Sequence, residues 1–312
     1  PDGTHQAFLS GTVSSCLKSS SKKFRNGFVG RWPNERRMEL GRCNFRVVDP
    51  SVEIDALAAL IRDTDEPLLL RALGGNSSWW QSRIVLDAWG ALQVSWGNGA
   101  DYGQHDPETV GVNGQEGTLN QFLNSLGAEE DDDSYLFYNV TGTPQLSNEE
   151  YGLPALAPPA LLAAIERSWT RSQWQSFTRL SLSRAQAGIG FHFHGPAVNL
   201  LLAGRKRWFA FYPLSCPDCA GPAAPRLAMH QWLSTTYPSV QARWLRSGYE
   251  CTQNAGEVVI MPPEMQHAVL NVEHATAALV FEAYASAGDP LKLYQRMQRG
   301  PSRTLLGLEN AV

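Results

Sequence analysis

The chain has 312 residues, 43% of them hydrophobic and 18% charged, with a net charge of −4. That composition excludes a disordered chain, supports a core of ordinary size, and fits one large domain with extensions or two small ones. The charge argues against a general nucleic-acid binder, which carries a basic face, and no apolar run approaches the roughly 18 residues of a membrane span.

Residues 1–42 are rich in Ser, Gly, Lys and Arg with little periodicity, and read as an extension, mostly loop. The chain opens at Pro1 with no apolar signal core, which reads as a processed or trimmed start compatible with a removed signal peptide. From Cys43 the pattern becomes globular. Helical spacing marks residues 52–61, a buried strand follows at 67–73, and a helix is expected from near Ser78 to Trp89. Residues 92–96 alternate as a strand, 97–117 read as loop, and Thr118 is placed to cap a helix through Leu126. The acidic run Glu129 to Asp133 reads as a solvated loop without EF-hand spacing. A strand at 135–140 and a proline-entered helix at 154–169 come next.

Short strands then follow at 176–186, 190–194, 198–203, 206–212, 249–252, 257–261, 267–272 and 276–284, a pattern of antiparallel sandwiches and barrels. A proline-rich insert at 213–248, with one helix near 227–233, interrupts them. Asp289-Pro290 opens a last helix that ends by Gly300.

Five cysteines are present. Cys216-Pro217-Asp218-Cys219 is a lone CxxC with no second ligand pair for zinc and no helix start for a thioredoxin-type site. A small loop disulfide, which requires an oxidising compartment, stands against free loop thiols. Asn76-Ser77-Ser78 and Asn139-Val140-Thr141 are glycosylation sequons of modest weight. His5, His105, His230 and His274 lack ligand spacing and read as surface or loop residues. Trp79, Trp80, Trp169, Trp174 and Trp208 read as packing residues.

The chemistry concentrates in Phe191-His192-Phe193-His194-Gly195. Residues two apart in a strand share a face, so His192 and His194 present two imidazoles side by side. A third ligand from a partner strand is best supplied by His267, at the end of Gly256-Glu257-Val258-Val259-Ile260-Met261-Pro262-Pro263-Glu264-Met265-Gln266-His267. The alternative is two chance histidines on the surface or in the core.

These segments, with Gly204-Arg205-Lys206-Arg207-Trp208-Phe209-Ala210-Phe211-Tyr212-Pro213 between them, resemble the Jumonji-C branch of the cupin superfamily from about Cys43 to about Tyr284. Within it the chain is most similar to the small Jumonji-C proteins of the endoplasmic reticulum lumen. The resemblance implies a mainly β fold with flanking helices (α+β), a double-stranded β-helix or jelly roll. It further implies one Jumonji-C cupin domain over 43–288, bearing the 213–248 insert, between the 1–42 extension and a C-terminal helix and tail at 289–312. Such a fold holds Fe(II) and 2-oxoglutarate and uses O2 to hydroxylate or demethylate a protein or small molecule.

His192 matches the family's first metal ligand and His267 the distal one. His194 stands where the family has a carboxylate, so three neutral imidazoles leave an Fe(II) site at +2 rather than +1, and imidazole also suits Zn, Cu and Ni. Lys206 matches the lysine that grips 2-oxoglutarate. Lys206, Trp208 and Ala210 share a strand face, and a lysine aimed into a barrel needs an anion. The alternative places Arg205, Lys206 and Arg207 in a solvated turn. The family's aromatic hydroxyl falls at Tyr135 or Tyr138, either of which could instead be core packing. Its Thr or Ser three residues before the first ligand is Ile189, and its Asn aligns with Ala197, with Asn199 shifted close by. Two functions follow: an Fe(II)- and 2-oxoglutarate-dependent oxygenase with an atypical three-His site, or a catalytically silent metal-binding cupin acting as an interaction protein in the lumen.

Overall fold

A computed structural model gives the structure, which describes residues 43–71, 88–99, 114–126, 134–169, 174–213, 215–216, 218–220, 227–273 and 276–285. Contacts divide the chain into Pro1–Leu40 and Gly41–Val312, and every described residue lies in the second unit. The 1–42 extension, most of the expected helix at 78–89, the acidic run and the helix expected after Asp289 therefore lie outside the described residues.

The first described elements are β1 (Arg46–Val48), α1 (Ile54–Asp63) and β2 (Leu68–Leu70). The helical spacing of the first apolar segment puts Leu57, Ala58 and Ile61 on the buried face of α1. β3 (Gln93–Asn98) pairs with β4 (Gln115–Thr118), a strand at the end of a stretch expected to be loop. That strand has no signature in the sequence, because Gln115-Glu116-Gly117-Thr118 has no apolar alternation.

Thr118 caps α2 (Leu119–Ser125) through a capping box: its hydroxyl accepts from the Gln121 N–H and the Gln121 side chain accepts from the Thr118 N–H. β5 (Ser134–Asn139) follows. The helix expected at 154–169 is split into a turn at Leu153–Leu156 and α3 (Pro159–Trp169). Pro158 and Pro159 force the break, since a residue before proline is disfavoured in the α region while proline itself suits a helix start.

β6 (Trp174–Ser183), β7 (Gly188–His192), β8 (Ala197–Ala203), β9 (Arg205–Phe211), β10 (Tyr249–Asn254), β11 (Val258–Met261), β12 (Gln266–Asn271) and β13 (Thr276–Ala285) form the rest of the sheets. Among the described residues, one sheet has the order β1-β2-β11-β8-β13-β6-β5-β3-β4 and the other β10-β9-β12-β7. From β6 onward the chain alternates between them except at β9 and β10, which are consecutive in the small sheet: β6, β8, β11 and β13 join the large sheet, and β7, β9, β10 and β12 the small one. That winding is a jelly roll, so the expected mainly β fold with flanking helices is present.

Gly204 makes the β8–β9 corner at φ 77°, where a Cβ would come within 2.8 Å of the Thr276 Cα. The outer face of the large sheet packs with α1, α2 and α3 in one core, including Leu57, Phe122, Leu161, Leu180 and Leu279. The outer face of the small sheet carries Phe191, Phe209 and Phe211, which meet Trp232, Tyr237 and Trp244 at tilted or edge angles with centroids 5.0–5.9 Å apart.

These partners come from the insert. It holds far more helix than the single short one expected near 227–233: Met229–Gln231, a π turn at Trp232–Thr236, then α4 (Tyr237–Ser247). Pro238 sits in the first turn of α4, where its missing N–H has no cost. His230 lies on this helical run and is half-buried, not a loop residue. Trp169 and Trp208 are buried, as packing residues should be.

Cys216 and Cys219 form the loop disulfide preferred from the spacing, and a second bridge joins Cys43 to Cys251 across 208 residues. The second pairing was not foreseen, since connectivity cannot be deduced from spacing. A bridge closing so long a loop constrains the unfolded chain strongly. Reduction, or the Cys43→Ser/Cys251→Ser pair, is expected to lower unfolding stability by about 2–5 kcal/mol in urea melts. Mass spectrometry after alkylation without reduction should find Cys43, Cys216, Cys219 and Cys251 unmodified. Among the described residues, no helix is long and apolar enough to cross a membrane.

Candidate metal centre

The inner faces of the two sheets enclose a small cavity, partly open to solvent. His192, His194 and His267 stand at one part of its wall and Lys206 at another. The strand expected at 190–194 ends at His192, so His194 reaches the site from the turn beyond it and not from the same strand face.

A β-bulge does the rest. His192 pairs with His267 and Ile189 with Val269, so Gly190 and Phe191 together oppose Ala268. The extra residue lets Ile189 and His192, three apart, both face the cavity while Phe191 turns outward into the aromatic cluster. Gly188 begins the same strand with its backbone so close to β12 that a Cβ would lie 2.0 Å from the Val269 carbonyl oxygen. His267 is carried in by the bend Pro262-Pro263-Glu264. Glu264 has φ 65°, and its N–H donates to the His194 carbonyl at 3.0 Å, fastening the two ligand-bearing segments together.

The three rings gather with centroids 5.3 Å (His192–His194), 4.3 Å (His192–His267) and 4.6 Å (His194–His267) apart. One nitrogen from each lies within 4.8 Å of the others. Each Nδ1 faces a backbone carbonyl: Gly190 for His192 at 2.8 Å, Gly195 for His194 at 2.7 Å, and Met265 for His267 at 2.9 Å. A carbonyl only accepts, so the ring proton belongs on Nδ1, which leaves Nε2 with its lone pair. Burial, with the neighbouring His194 second, lowers the His192 pKa to about 4. Burial, and then the other two histidines, holds His267 well below its ordinary value. Both rings are therefore neutral at physiological pH, the form that binds metal. The donor set fits a divalent first-row metal.

Lys206 is 1% exposed, so the solvated-turn alternative for Arg205-Lys206-Arg207 fails. Its outward neighbour Arg207 is buried too, paired with Glu250. The Lys206 Nζ donates to Ser181 Oγ at 3.0 Å and Tyr135 Oη at 3.5 Å, and these two hydroxyls lie 2.6 Å apart. Among the described residues, no ion pair joins Lys206 to a carboxylate. Burial alone lowers its pKa to about 7.

Tyr135 and Phe137 face the cavity, whereas Tyr138 packs into the other core, so the two tyrosines left open are distinguished by the pleat. Asn199 also lines the cavity; it is 4% exposed and its Oδ1 has no hydrogen-bond partner. Such an orphaned acceptor beside an uncompensated lysine suits a polar ligand. Trp208 is fixed as a wall by donating to Gln253 Oε1 at 2.8 Å. Ile189 and Ala197 complete the lining where the resemblance expects a hydroxyl and an amide.

Ser181, Arg179 and Glu282 were missed. Ser181 and Glu282 line the cavity, each 1% exposed, and Arg179 Nε donates to Glu282 Oε2 at 2.8 Å. Their signals were present: Arg179, Ser181 and Ser183 alternate with Leu180 and Leu182 along β6, and Glu282 is one charge inside the apolar run of β13.

A domain family described as "JmjC domain, hydroxylase" matches residues 181–280. The chain is 38% identical to JmjC domain-containing protein 8 of Homo sapiens over 94 residues, 30% of this chain and 33% of that protein. It is 25% identical to Arginine-specific demethylase JMJ22 of Arabidopsis thaliana over 196 residues, 59% of this chain and 37% of that one. It is 31% identical to Bifunctional arginine demethylase and lysyl-hydroxylase psr-1 of Caenorhabditis elegans over 104 residues, 30% of this chain and 26% of that one. The chain thus spans about a third of the length of the curated relatives it matches. The matched segment holds the three histidines, Lys206 and Ser181, and so is similar to the Jumonji-C domain that the sequence resemblance led us to expect.

Proposed function

We propose that this chain is an Fe(II)- and 2-oxoglutarate-dependent oxygenase with an atypical three-histidine metal site. One observation carries the reading: three lone-pair nitrogens converge in the same cavity as a buried lysine that has no carboxylate partner among the described residues. In this account His192, His194 and His267 hold the metal. Lys206 takes the far carboxylate of 2-oxoglutarate, with Tyr135, Ser181 and Asn199 offering further polar contacts. Bound Fe(II) would supply the oxygen chemistry. The protein positions the 2-oxo acid, and the apolar wall of Ile189, Trp208, Val259 and Val269 excludes water from it.

The arginine and lysine chemistry in the names of two relatives supports a protein side chain as substrate. We read residues 43–288 as one Jumonji-C cupin domain. Two disulfides support an oxidising compartment, which we infer to be the secretory pathway, the endoplasmic reticulum lumen by similarity.

A second reading, a catalytically silent metal-binding cupin acting as an interaction protein in the lumen, is favoured by His194 at the carboxylate position and by Ile189 and Ala197 in the wall. Metal analysis of protein purified without added metal, joined to a 2-oxoglutarate titration, tests both. Stoichiometric Fe with 2-oxoglutarate binding supports the oxygenase; metal without 2-oxoglutarate binding supports the silent cupin. His194→Asp gives a further expected outcome. Lowering the site charge by one should raise the Fe-to-Zn ratio on metal analysis and increase succinate release from 2-oxoglutarate. No change in either would contradict the charge argument.

A further inference from the structure

The sequon Asn139-Val140-Thr141 spans the end of β5 and the turn that follows it, whereas Asn76 lies outside the described residues. Val140 is buried in the core shared with the helices, and Asn139 and Thr141 on either side of it are exposed. The Thr141 N–H donates to Asn139 Oδ1 at 3.0 Å, closing an Asx turn. An N–H can only donate, so the amide oxygen of Asn139 faces the backbone and its nitrogen faces away. Among the described residues, nothing accepts a hydrogen bond from that nitrogen.

The turn is fastened to β6. The Val140 N–H donates to the Thr178 carbonyl at 2.9 Å, and the Thr178 N–H donates to Thr141 Oγ1 at 2.8 Å. Beside the sequon there is open space: no atom lies within 4 Å of where a Cβ on Gly142 would stand. Asn139 pairs with Arg179 and shares its strand face with Tyr135 and Phe137, which line the cavity. A group attached to Asn139 would therefore stand on the cavity side of the large sheet, away from the helices.

We propose that Asn139 is an N-glycosylation site. The donor is a lipid-diphosphate-linked oligosaccharide, brought to the chain by the host's transferase. The Asn139 nitrogen bonds to the anomeric carbon of the first sugar, and the bond from that carbon to the diphosphate oxygen breaks. The nitrogen gives up one proton, the lipid diphosphate leaves, and nothing is oxidised or reduced. A glycan is bulky and strongly hydrated, so the fold must leave its asparagine in solvent, and this turn does so. The same fold keeps the Thr141 hydroxyl that the sequon requires two residues on.

The proposal rests on the secretory-pathway reading above, and the disulfide state of the same sample separates the two. Natively sourced full-length protein is treated with peptide-N-glycosidase in heavy-oxygen water and mapped by mass spectrometry. Residue 139 should be recovered as isotope-labelled aspartate, with Cys43 and Cys251 bridged. A bare Asn139 in protein whose bridges are formed would overturn the proposal and leave the compartment reading standing. A bare Asn139 together with free thiols would overturn both. In secretory cells, Asn139→Gln and Thr141→Ala should each lose a mobility step that the glycosidase removes from the parent, while Thr141→Ser should keep it. An unchanged step in Asn139→Gln would place the glycan elsewhere and equally overturn the proposal.

Discussion

Lys206→Ala is expected to weaken 2-oxoglutarate binding by about a hundredfold or more while leaving metal content unchanged. The ammonium lies in a cavity with two hydroxyls and no carboxylate, so a bound dicarboxylate would be its counter-ion. Truncating one partner of a buried charge pair costs roughly 3–5 kcal/mol, and each 1.4 kcal/mol is a factor of ten. The same lysine should make affinity depend on pH. Its pKa of about 7 without ligand means that a bound carboxylate must first restore the proton as pH rises above 7. Affinity should fall about tenfold per pH unit from there, measurable by calorimetry with a redox-silent metal in the site.

Stability has the opposite dependence. Between pH 7 and the ordinary lysine value of 10.5 the unfolded chain holds a proton that the folded chain has lost, so the ligand-free protein gains stability with rising pH across that window. Lys206→Met should therefore stabilise the ligand-free fold at pH 7 or below, by about 1–4 kcal/mol, even as it abolishes 2-oxoglutarate binding. A lysine kept at a cost to the fold is what a binding role predicts.

His192→Ala and His267→Ala are each expected to abolish stoichiometric metal uptake. Removing a group that merely orients a ligand costs 10–100-fold in metal affinity, and removal of the ligand itself should exceed that. Both side chains are neutral in the folded protein at pH 7, so their loss removes no buried charge, and the fold should survive as judged by circular dichroism. Elemental analysis of the dialysed variants against the parent checks the outcome. Retained one-to-one metal in the double variant would place the site elsewhere.

What the sequence revealed follows from how local each feature is. The Thr118–Gln121 capping box is spelled in four residues, and the helical spacing of α1 is read within one element. His192 and His194 were legible as a pair, but the reason offered was incomplete: a bulge at Gly190–Phe191 and a strand end at His192 place them, and neither has a local signal. The choice between Tyr135 and Tyr138 depended on which pleat faces the cavity, a register question settled by pairing with β6. Cys43 meets Cys251 only because the sheets bring together residues 208 apart. The Pro238 helix was hidden because a proline reads the same before and after a helix start. Glu282 and Ser181 were invisible as site residues because their partners, Arg179 and Lys206, are distant in sequence.

The most direct test of a metal and a 2-oxo acid meeting in this cavity is the visible absorption of the full chain loaded anaerobically with Fe(II) and titrated with 2-oxoglutarate. Chelation of the metal by the 2-oxo acid predicts a charge-transfer band that saturates at one equivalent, is absent with Zn(II), and is lost in His192→Ala. Bound Fe(II) with no such band at millimolar 2-oxoglutarate would contradict the oxygenase account and leave the silent metal-binding cupin.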